Sequence, residues 1–262
     1  MQPILNIALK AARKAGDVIL QSYDRLDTIN ATSKGQHDFV TDVDKRAETK
    51  ILEIIKKAYP NHAILTEETG AHAGDQNAMW IIDPLDGTHN YMRGFPHFCV
   101  SIGFKQRGKL EHALVYDPIR QEVFHASRGH GARLNDRRLR VTQTLYLDDA
   151  LIATGFPVRN TKHLLPYLNQ FNALMPHLAN IRCSGSAALD LCYVAAGRLD
   201  GYFEMDLHPW DMAAGSLIVQ EAGGMISDWQ GQENYLDNGA LIAATPEILT
   251  LLLKKIKDPI HE

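Results

Sequence analysis

The run Met79-Trp80-Ile81-Ile82-Asp83-Pro84-Leu85-Asp86-Gly87-Thr88 reads in two halves. The first four residues are a short apolar stretch of the kind that forms a buried strand. The second half turns acidic. Pro84 fixes the backbone direction after Asp83, so two carboxylates three residues apart, with a bend between them, can face one point together with the Leu85 carbonyl. Gly87-Thr88 can then open a helix whose free N–H groups suit a phosphate, and the Thr88 hydroxyl can orient a water. In αβ sheets, ligands bind beyond the carboxyl ends of strands. Carboxylates gathered there repel one another unless a cation sits between them, and Mg²⁺ prefers such oxygen ligands. Metal ligands and phosphate donors within six residues fit metal-assisted hydrolysis of a phosphate ester. The same residues also have a plainer reading, with Asp83-Pro84 as a turn and Asp86 as a helix N-cap.

Working outward, Ala63-Ile64-Leu65 is a second apolar run, and it too ends in acids, Thr66-Glu67-Glu68. Residues 100–104, 113–116 and 123–126 read as further strands, the last two parted by the turn signal Asp117-Pro118. Two helices precede this sheet-rich middle. Ile4, Leu5, Ala8, Ala11, Ala12, Ala15, Val18 and Ile19 recur at helical spacing. A second helix is expected over residues 44–58, with Ala47, Ile51, Ile54, Ile55 and Ala58 facing inward, Thr41 and Asp44 at capping-box spacing, and Tyr59-Pro60-Asn61 as its stop. After about residue 147 strands and helices alternate. Strands are expected at 151–153, 201–204, 225–227 and 240–244. Helices are expected at 163–178, with Pro166 and Pro176 limiting its ends, at 186–196, and at 212–222, where Gly223-Gly224 ends it. Pro246 opens a last helix. The pattern predicts an α+β fold of mixed αβ layers, with subdomains over 1–147 and 148–262 packed without a flexible linker.

Composition narrows the field. The chain has 262 residues, 45% of them hydrophobic and 22% charged, an ordinary globular balance that excludes disorder, a collagen-like repeat and a disulfide miniprotein. A net charge of −4 argues against a general nucleic-acid binder. The acids Glu67, Glu68, Asp83, Asp86 and Asp211 together exceed that net charge, so it says little about partners. The cysteines are Cys99, Cys183 and Cys192, an odd number without CxxC spacing. Cys99 and Cys192 sit among apolar neighbours as small buried hydrophobes, which suits a reducing cytoplasm. No signal peptide is visible, and no apolar run approaches the roughly 18–20 residues of a membrane span.

A third acidic element, Trp210-Asp211, stands before the apolar stretch 212–219. Alone it is ordinary helix capping, and Glu67-Glu68 alone is a solvated pair. Together with the opening run they carry more. Trp80-Ile81-Ile82-Asp83-Pro84-Leu85-Asp86-Gly87-Thr88-His89-Asn90-Tyr91 and Trp210-Asp211-Met212-Ala213-Ala214-Gly215, followed by Glu221-Ala222-Gly223-Gly224, resemble the two signatures of the inositol monophosphatases, the lithium-sensitive, Mg²⁺-dependent sugar phosphatases. Glu67-Glu68 and residues 39–44 match in order and spacing, and the resemblance covers nearly the whole chain. Residues 5–8, 11–16, 153–157 and 185–191 resemble the bacterial SuhB branch of that family. His89 departs from the usual Thr and reads as a surface histidine.

The resemblance implies an α-β-α-β-α sandwich, usually homodimeric, with its site between the subdomains. It implies two to three Mg²⁺. Glu67, Asp83 and the Leu85 carbonyl hold the first, Asp83, Asp86 and Asp211 the second, and Glu67 helps with a third. It makes Glu67, Thr88 and Asp44 catalytic, with water as nucleophile and Asp44 supporting Thr88, although Asp44 equally caps its helix. Substrate contacts fall to Asp86, Gly87, Thr88, Gly185, Ser186, Ala187, Glu204 and Asp211. Lys34 takes the place of a basic residue in a loop near the site, or is simply a solvated lysine, and Glu204 is otherwise a strand-end acid. The implied substrate is myo-inositol monophosphate. Fructose bisphosphate, a 3′-phosphonucleotide or histidinol phosphate would suit the same motif. The SuhB branch also implies a role without catalysis, as a Nus-type antitermination partner of RNA polymerase in ribosomal RNA synthesis. Arg128, Arg133, Arg137, Arg138 and Arg140 could meet an acidic protein or RNA, or form a solvated hairpin.

Overall fold

The computed structural model describes residues 2–23, 25–26, 31–35, 38–158 and 160–257. Helix α1 (Pro3–Tyr23) buries Leu5, Ala8, Ala12, Ala15 and Ile19 along one stripe. A hairpin, β1 (Ala31–Gly35) and β2 (Asp38–Thr41), precedes α2 (Asp42–Ala58). It escapes the sequence pattern because Ala-Thr-Ser-Lys-Gly has no apolar alternation. Helix α2 starts two residues earlier than expected because Thr41 caps it. The Thr41 hydroxyl accepts the Val43 and Asp44 N–H groups, and the Asp44 carboxylate accepts the Thr41 N–H at 2.9 Å. Ala47, Ile51 and Ile55 are buried, and Ile54 is half-buried. Ala58 is exposed, contrary to expectation, because Tyr59 turns the chain off the helix to stack on His62.

An eight-stranded sheet follows: β3 (His62–Thr66), β4 (Gly70–His72), β5 (Asp75–Asp86), β6 (Cys99–Gln106), β7 (Lys109–Asp117), β8 (Glu122–Ser127), β9 (Gly131–Leu134) and β10 (Arg137–Arg138). Its spatial order is β10-β9-β8-β7-β6-β5-β3-β4. Strand β3 runs parallel to β5, whereas β5 through β9 pair antiparallel in sequence. The second sheet has five strands, β11 (Leu151–Thr154), β12 (Asn180–Arg182), β13 (Gly201–Glu204), β14 (Met225–Ser227) and β15 (Leu241–Ala244), in the order β12-β11-β13-β15-β14. The remaining helices are α3 (Thr88–Met92), α4 (Thr161–Leu174), α5 (Ala187–Ala195), α6 (Pro209–Glu221), α7 (Tyr235–Asn238) and α8 (Pro246–Lys257). Helix α4 passes through Pro166 rather than beginning near it. Pro166 costs one helical N–H, and Lys162, whose carbonyl that N–H would have served, is exposed.

Strand periodicity sorts side chains into three cores. On β5, Trp80 and Ile82 pack with α1 and α2, while Ile81 packs toward α5 and α6. On β13, Tyr202 faces that same central layer, and Phe203 faces α4 and α8 with Ile242, Trp229 and Ile248. The layers are therefore α1/α2, the eight-stranded sheet, α5/α6, the five-stranded sheet and α4/α8. This is the expected α-β-α-β-α sandwich. Helix α6 lies between two sheets, and all of residues 211–219 are buried, as a helix apolar on every side requires. At Gly215 a Cβ would come within 2.6 Å of Leu191, so only glycine allows α5 and α6 to pack this closely. Cys99 and Cys192 are buried as expected, and Cys183 is exposed. Among the described residues no helix is long and apolar enough to cross a membrane.

Candidate active site

Because β3 and β5 are parallel, with Thr66 opposite Ile82, their carboxyl ends leave the sheet at one edge. The Glu67 N–H still bonds the Ile82 carbonyl at 3.2 Å, so Glu67 departs beside Asp83. The pairing of β5 with β6 slips between Asp83↔Ser101 and Asp86↔Cys99. This gives β5 one extra residue, a bulge at Pro84, which has no N–H to offer the ladder. The expected turn after Asp83 is this bulge, and the strand continues to Asp86. The Leu85 N–H donates to Asp83 Oδ1 at 2.9 Å. The N-cap of α3 is Gly87 at φ +90°, not Asp86. A Cβ there would stand 2.9 Å from the His97 carbonyl.

Asp211 arrives from the other half of the chain. Pro209 starts α6 at its favoured position, and the carboxylate of Asp211 accepts the His208 N–H at 2.7 Å. Asp83, Asp86 and Asp211 each bring an oxygen within 4.8 Å of the others. They are only 2%, 9% and 8% exposed. Asp86 also accepts the Ser186 hydroxyl at 2.6 Å and the Ala188 N–H at 2.8 Å, which joins the bulge of β5 to the start of α5.

Such crowding has an electrostatic consequence. Burial, then the charges of Glu67, Asp86 and Asp211, push the Asp83 carboxyl well above the usual range. Burial pushes Asp86 up to about 6 against the pull of its Ser186 and Ala188 donors. Asp44 is raised by burial as well, although Thr41 and Thr88 donate to it. Three nearly buried carboxylates with mutual repulsion and all-oxygen chemistry fit a hard divalent cation. Asp83, Asp86 and Asp211 are the carboxylates brought together at such a distance; Glu67 and Leu85 line the same cavity without joining that cluster.

Thr88 Oγ1 lies 2.8 Å from Asp44 Oδ1 and 3.0 Å from the Leu85 carbonyl. Asp44 thus both caps α2 and accepts a hydrogen bond from Thr88. Glu67, Gly87, Thr88, Gly185 and Glu204 all line one cavity of about 340 Å³ with the three aspartates. Ser186 and Ala187 also reach its wall, but the Ser186 hydroxyl is committed to Asp86. Glu204 accepts the Tyr202 hydroxyl. A Cβ at Gly155 would lie 2.2 Å from the Glu204 carboxylate, so Gly155 makes the room that Glu204 occupies. His89 is exposed at the cavity mouth. Lys34 falls on β1, and its side chain lies outside the described residues. Arg133, Arg137, Arg138 and Arg140 are exposed around β9 and β10, the latter being the edge strand five places from β5. Sequence reasoning missed the apolar side of the cavity, Phe156, Val158, Met205 and Leu207. The residues 153–157 were a visible signal, without a role attached.

A family model for the inositol monophosphatase family matches residues 1–261. The chain is 52% identical over 258 residues to the Nus factor SuhB of Haemophilus influenzae, covering 98% of this chain and 97% of that protein. Its fold is similar to that of the extragenic suppressor protein suhB from Bartonella henselae, with a TM-score of 0.95, 40% identity and coverage of 99% and 100% of the two chains. It is also similar to an inositol monophosphatase from Anabaena, with a TM-score of 0.86, 36% identity and coverage of 98% and 97%.

Proposed function

Since the chain belongs to the inositol monophosphatase family, we propose that it hydrolyses a small phosphate monoester, with myo-inositol monophosphate as substrate and Mg²⁺ as cofactor. The observation that carries this reading is the meeting of the nearly buried Asp83, Asp86 and Asp211 within 4.8 Å. Glu67, Asp83, the Leu85 carbonyl, Asp86 and Asp211 would hold two to three Mg²⁺. When bound, Mg²⁺ neutralises phosphoryl charge and makes water acidic enough to attack near neutral pH. The chain's own residues do the positioning. Thr88 donates its hydroxyl hydrogen to Asp44, leaving oxygen lone pairs that orient a water. Glu67 takes up a proton from that water. First-turn N–H groups of α3 have no helical acceptor and serve the phosphate beside Gly87 and Thr88. Glu204, held by Tyr202, accepts a substrate hydroxyl, and the backbone of 185–187 faces the ring.

Residues 1–147 and 148–262 are read as two subdomains, in keeping with β3–β10 and β11–β15 forming separate sheets. A cytoplasmic homodimer is the expected form, inhibited by lithium. A second role, as a Nus-type partner of RNA polymerase or RNA, is favoured by the 52% identical relative that bears that name and by the exposed arginines of β9–β10.

Phosphate release by the purified protein with Mg²⁺ tests the catalytic reading on a panel: myo-inositol 1-phosphate, fructose bisphosphate, a 3′-phosphonucleotide and histidinol phosphate. The inositol ester should turn over fastest, and Asp211→Asn should abolish release. Normal turnover by Asp211→Asn, or none by the wild type on any ester, would count against it. The partner role predicts that Asp211→Asn still binds Nus proteins or polymerase, while Arg137→Ala with Arg138→Ala weakens that binding and leaves hydrolysis unchanged.

A further inference from the structure

Glu48 stands in the middle of α2 and is only 2% exposed. A buried carboxylate needs donors, and the three that the structure gives it come from the end of β3 and the turn that carries Glu67. Oε2 accepts the Thr66 hydroxyl at 2.6 Å and the Glu68 N–H at 3.0 Å, and Oε1 accepts the Thr69 hydroxyl at 2.6 Å. Residues on both sides of Glu67 are therefore tied to one side chain. On its remaining flank the Glu67 N–H is bonded to Ile82. The outer arm continues to the surface. Thr69 Oγ1 lies 2.7 Å from His72 Nε2, and His72 Nδ1 lies 3.2 Å from Lys56 Nζ. One donor direction satisfies the whole row: Lys56 to Nδ1, Nε2–H to Thr69, and the Thr69 hydroxyl to Glu48.

We propose that Glu48 is a positioning residue: by holding Thr66, Glu68 and Thr69 it fixes the Glu67 carboxylate against Asp83 and so sets the cation affinity of the cavity. This rests on the reading of Glu67 as a metal-holding side chain. Outer-shell partners of this kind typically change metal affinity by roughly 10–100-fold when removed. A Glu48→Gln side chain keeps its amide oxygen for Thr66 and Glu68 and gives up only the Thr69 arm.

Calorimetric titration of Mg²⁺ into the full-length wild type, Glu48→Ala, Glu48→Gln, Glu67→Gln and the Glu48→Ala/Glu67→Gln double variant tests this. Glu48→Ala should weaken Mg²⁺ binding by roughly 10–100-fold, and Glu48→Gln by clearly less. The double variant should bind no worse than Glu67→Gln, because a residue that acts through Glu67 has nothing left to position. Full additivity, or Mg²⁺ affinity unchanged in Glu48→Ala, would overturn the proposal. Should Glu48→Ala fail to fold, Thr69→Val removes one arm and must weaken Mg²⁺ in the same direction, while unchanged affinity overturns the proposal. A wild type that takes no Mg²⁺ overturns the metal reading itself, and this proposal with it.

Discussion

Asp200 and Asp83 are both buried, at 7% and 2% exposed, yet their surroundings are opposite. Asp200 accepts the hydroxyls of Thr142 and Thr144 at 2.6 Å each and the Leu151 N–H at 2.7 Å. It ties the strand-less stretch after β10 to β11, and every donor it meets favours its charge. Asp83 accepts the Leu85 N–H and otherwise faces Glu67, Asp86 and Asp211. Glu48 and Asp228 are of the first kind, the latter holding the Gln230 and Gln232 N–H groups and the Asn238 amide. A protein that buries carboxylates for stability surrounds them with donors. Asp83 has one printed donor against three neighbouring carboxylates, an arrangement that suits a bound cation better than it suits stability.

The sharpest way to break this comparison is to neutralise one member of each kind. Asp83→Asn should abolish phosphate release. In metal-free protein it should also raise the thermal midpoint by a few degrees, because it removes a repelled buried charge while the amide oxygen still accepts from Leu85. A lower midpoint in differential scanning calorimetry would break the comparison. Asp200→Ala should do the reverse. It strands donors in the interior and should cost about 2–4 kcal/mol in urea unfolding, with kcat/KM of the folded protein unchanged.

Smaller effects sharpen the picture. Gly155→Ala drives a methyl group into the Glu204 carboxylate. It should raise KM for the inositol ester roughly tenfold, about 1.4 kcal/mol, and change kcat little. A loss confined to kcat would move Glu204 out of substrate binding.

The pH dependence is the smallest effect. The Asp86 carboxyl is raised in the fold from its ordinary 3.8 to about 6, so the folded state binds more protons than the unfolded chain across that window. Stability of the metal-free protein from this group is therefore full below pH 3.8 and is lost as pH rises through about 6. Asp83, raised by the same burial and repulsion, acts in the same direction. Melting curves of metal-free Asp86→Asn should fall less with pH over this window than those of the wild type. Equal slopes would remove Asp86 from the account.

Much of this was legible in the sequence. Strand β5 announces itself because both its faces are covered, so Met79 to Ile82 is apolar without alternation. The acids just after β3 and at the end of β5 were visible as strand-end residues, and Thr41 with Asp44 as a cap. The unread parts are those whose causes lie far away in the chain. Glu48 meets donors 18 to 21 residues later, across a helix, two turns and a strand. Gly155 is explained only by Glu204, which reaches it from another strand. Pro166 looked like a helix end because local rules do not show which turns face water. Strands β1 and β4 are short and polar, and their pairing rather than their composition makes them strands.

The central claim is that Asp83, crowded by other carboxylates, belongs to a cation site and that Asp200, surrounded by donors, does not. Isothermal titration of Mg²⁺ into chelator-stripped protein tests it directly, with wild type, Asp83→Asn and Asp200→Asn side by side. Saturable Mg²⁺ binding by the wild type and by Asp200→Asn, lost in Asp83→Asn, is the predicted result. Binding that survives in Asp83→Asn at wild-type affinity would contradict it.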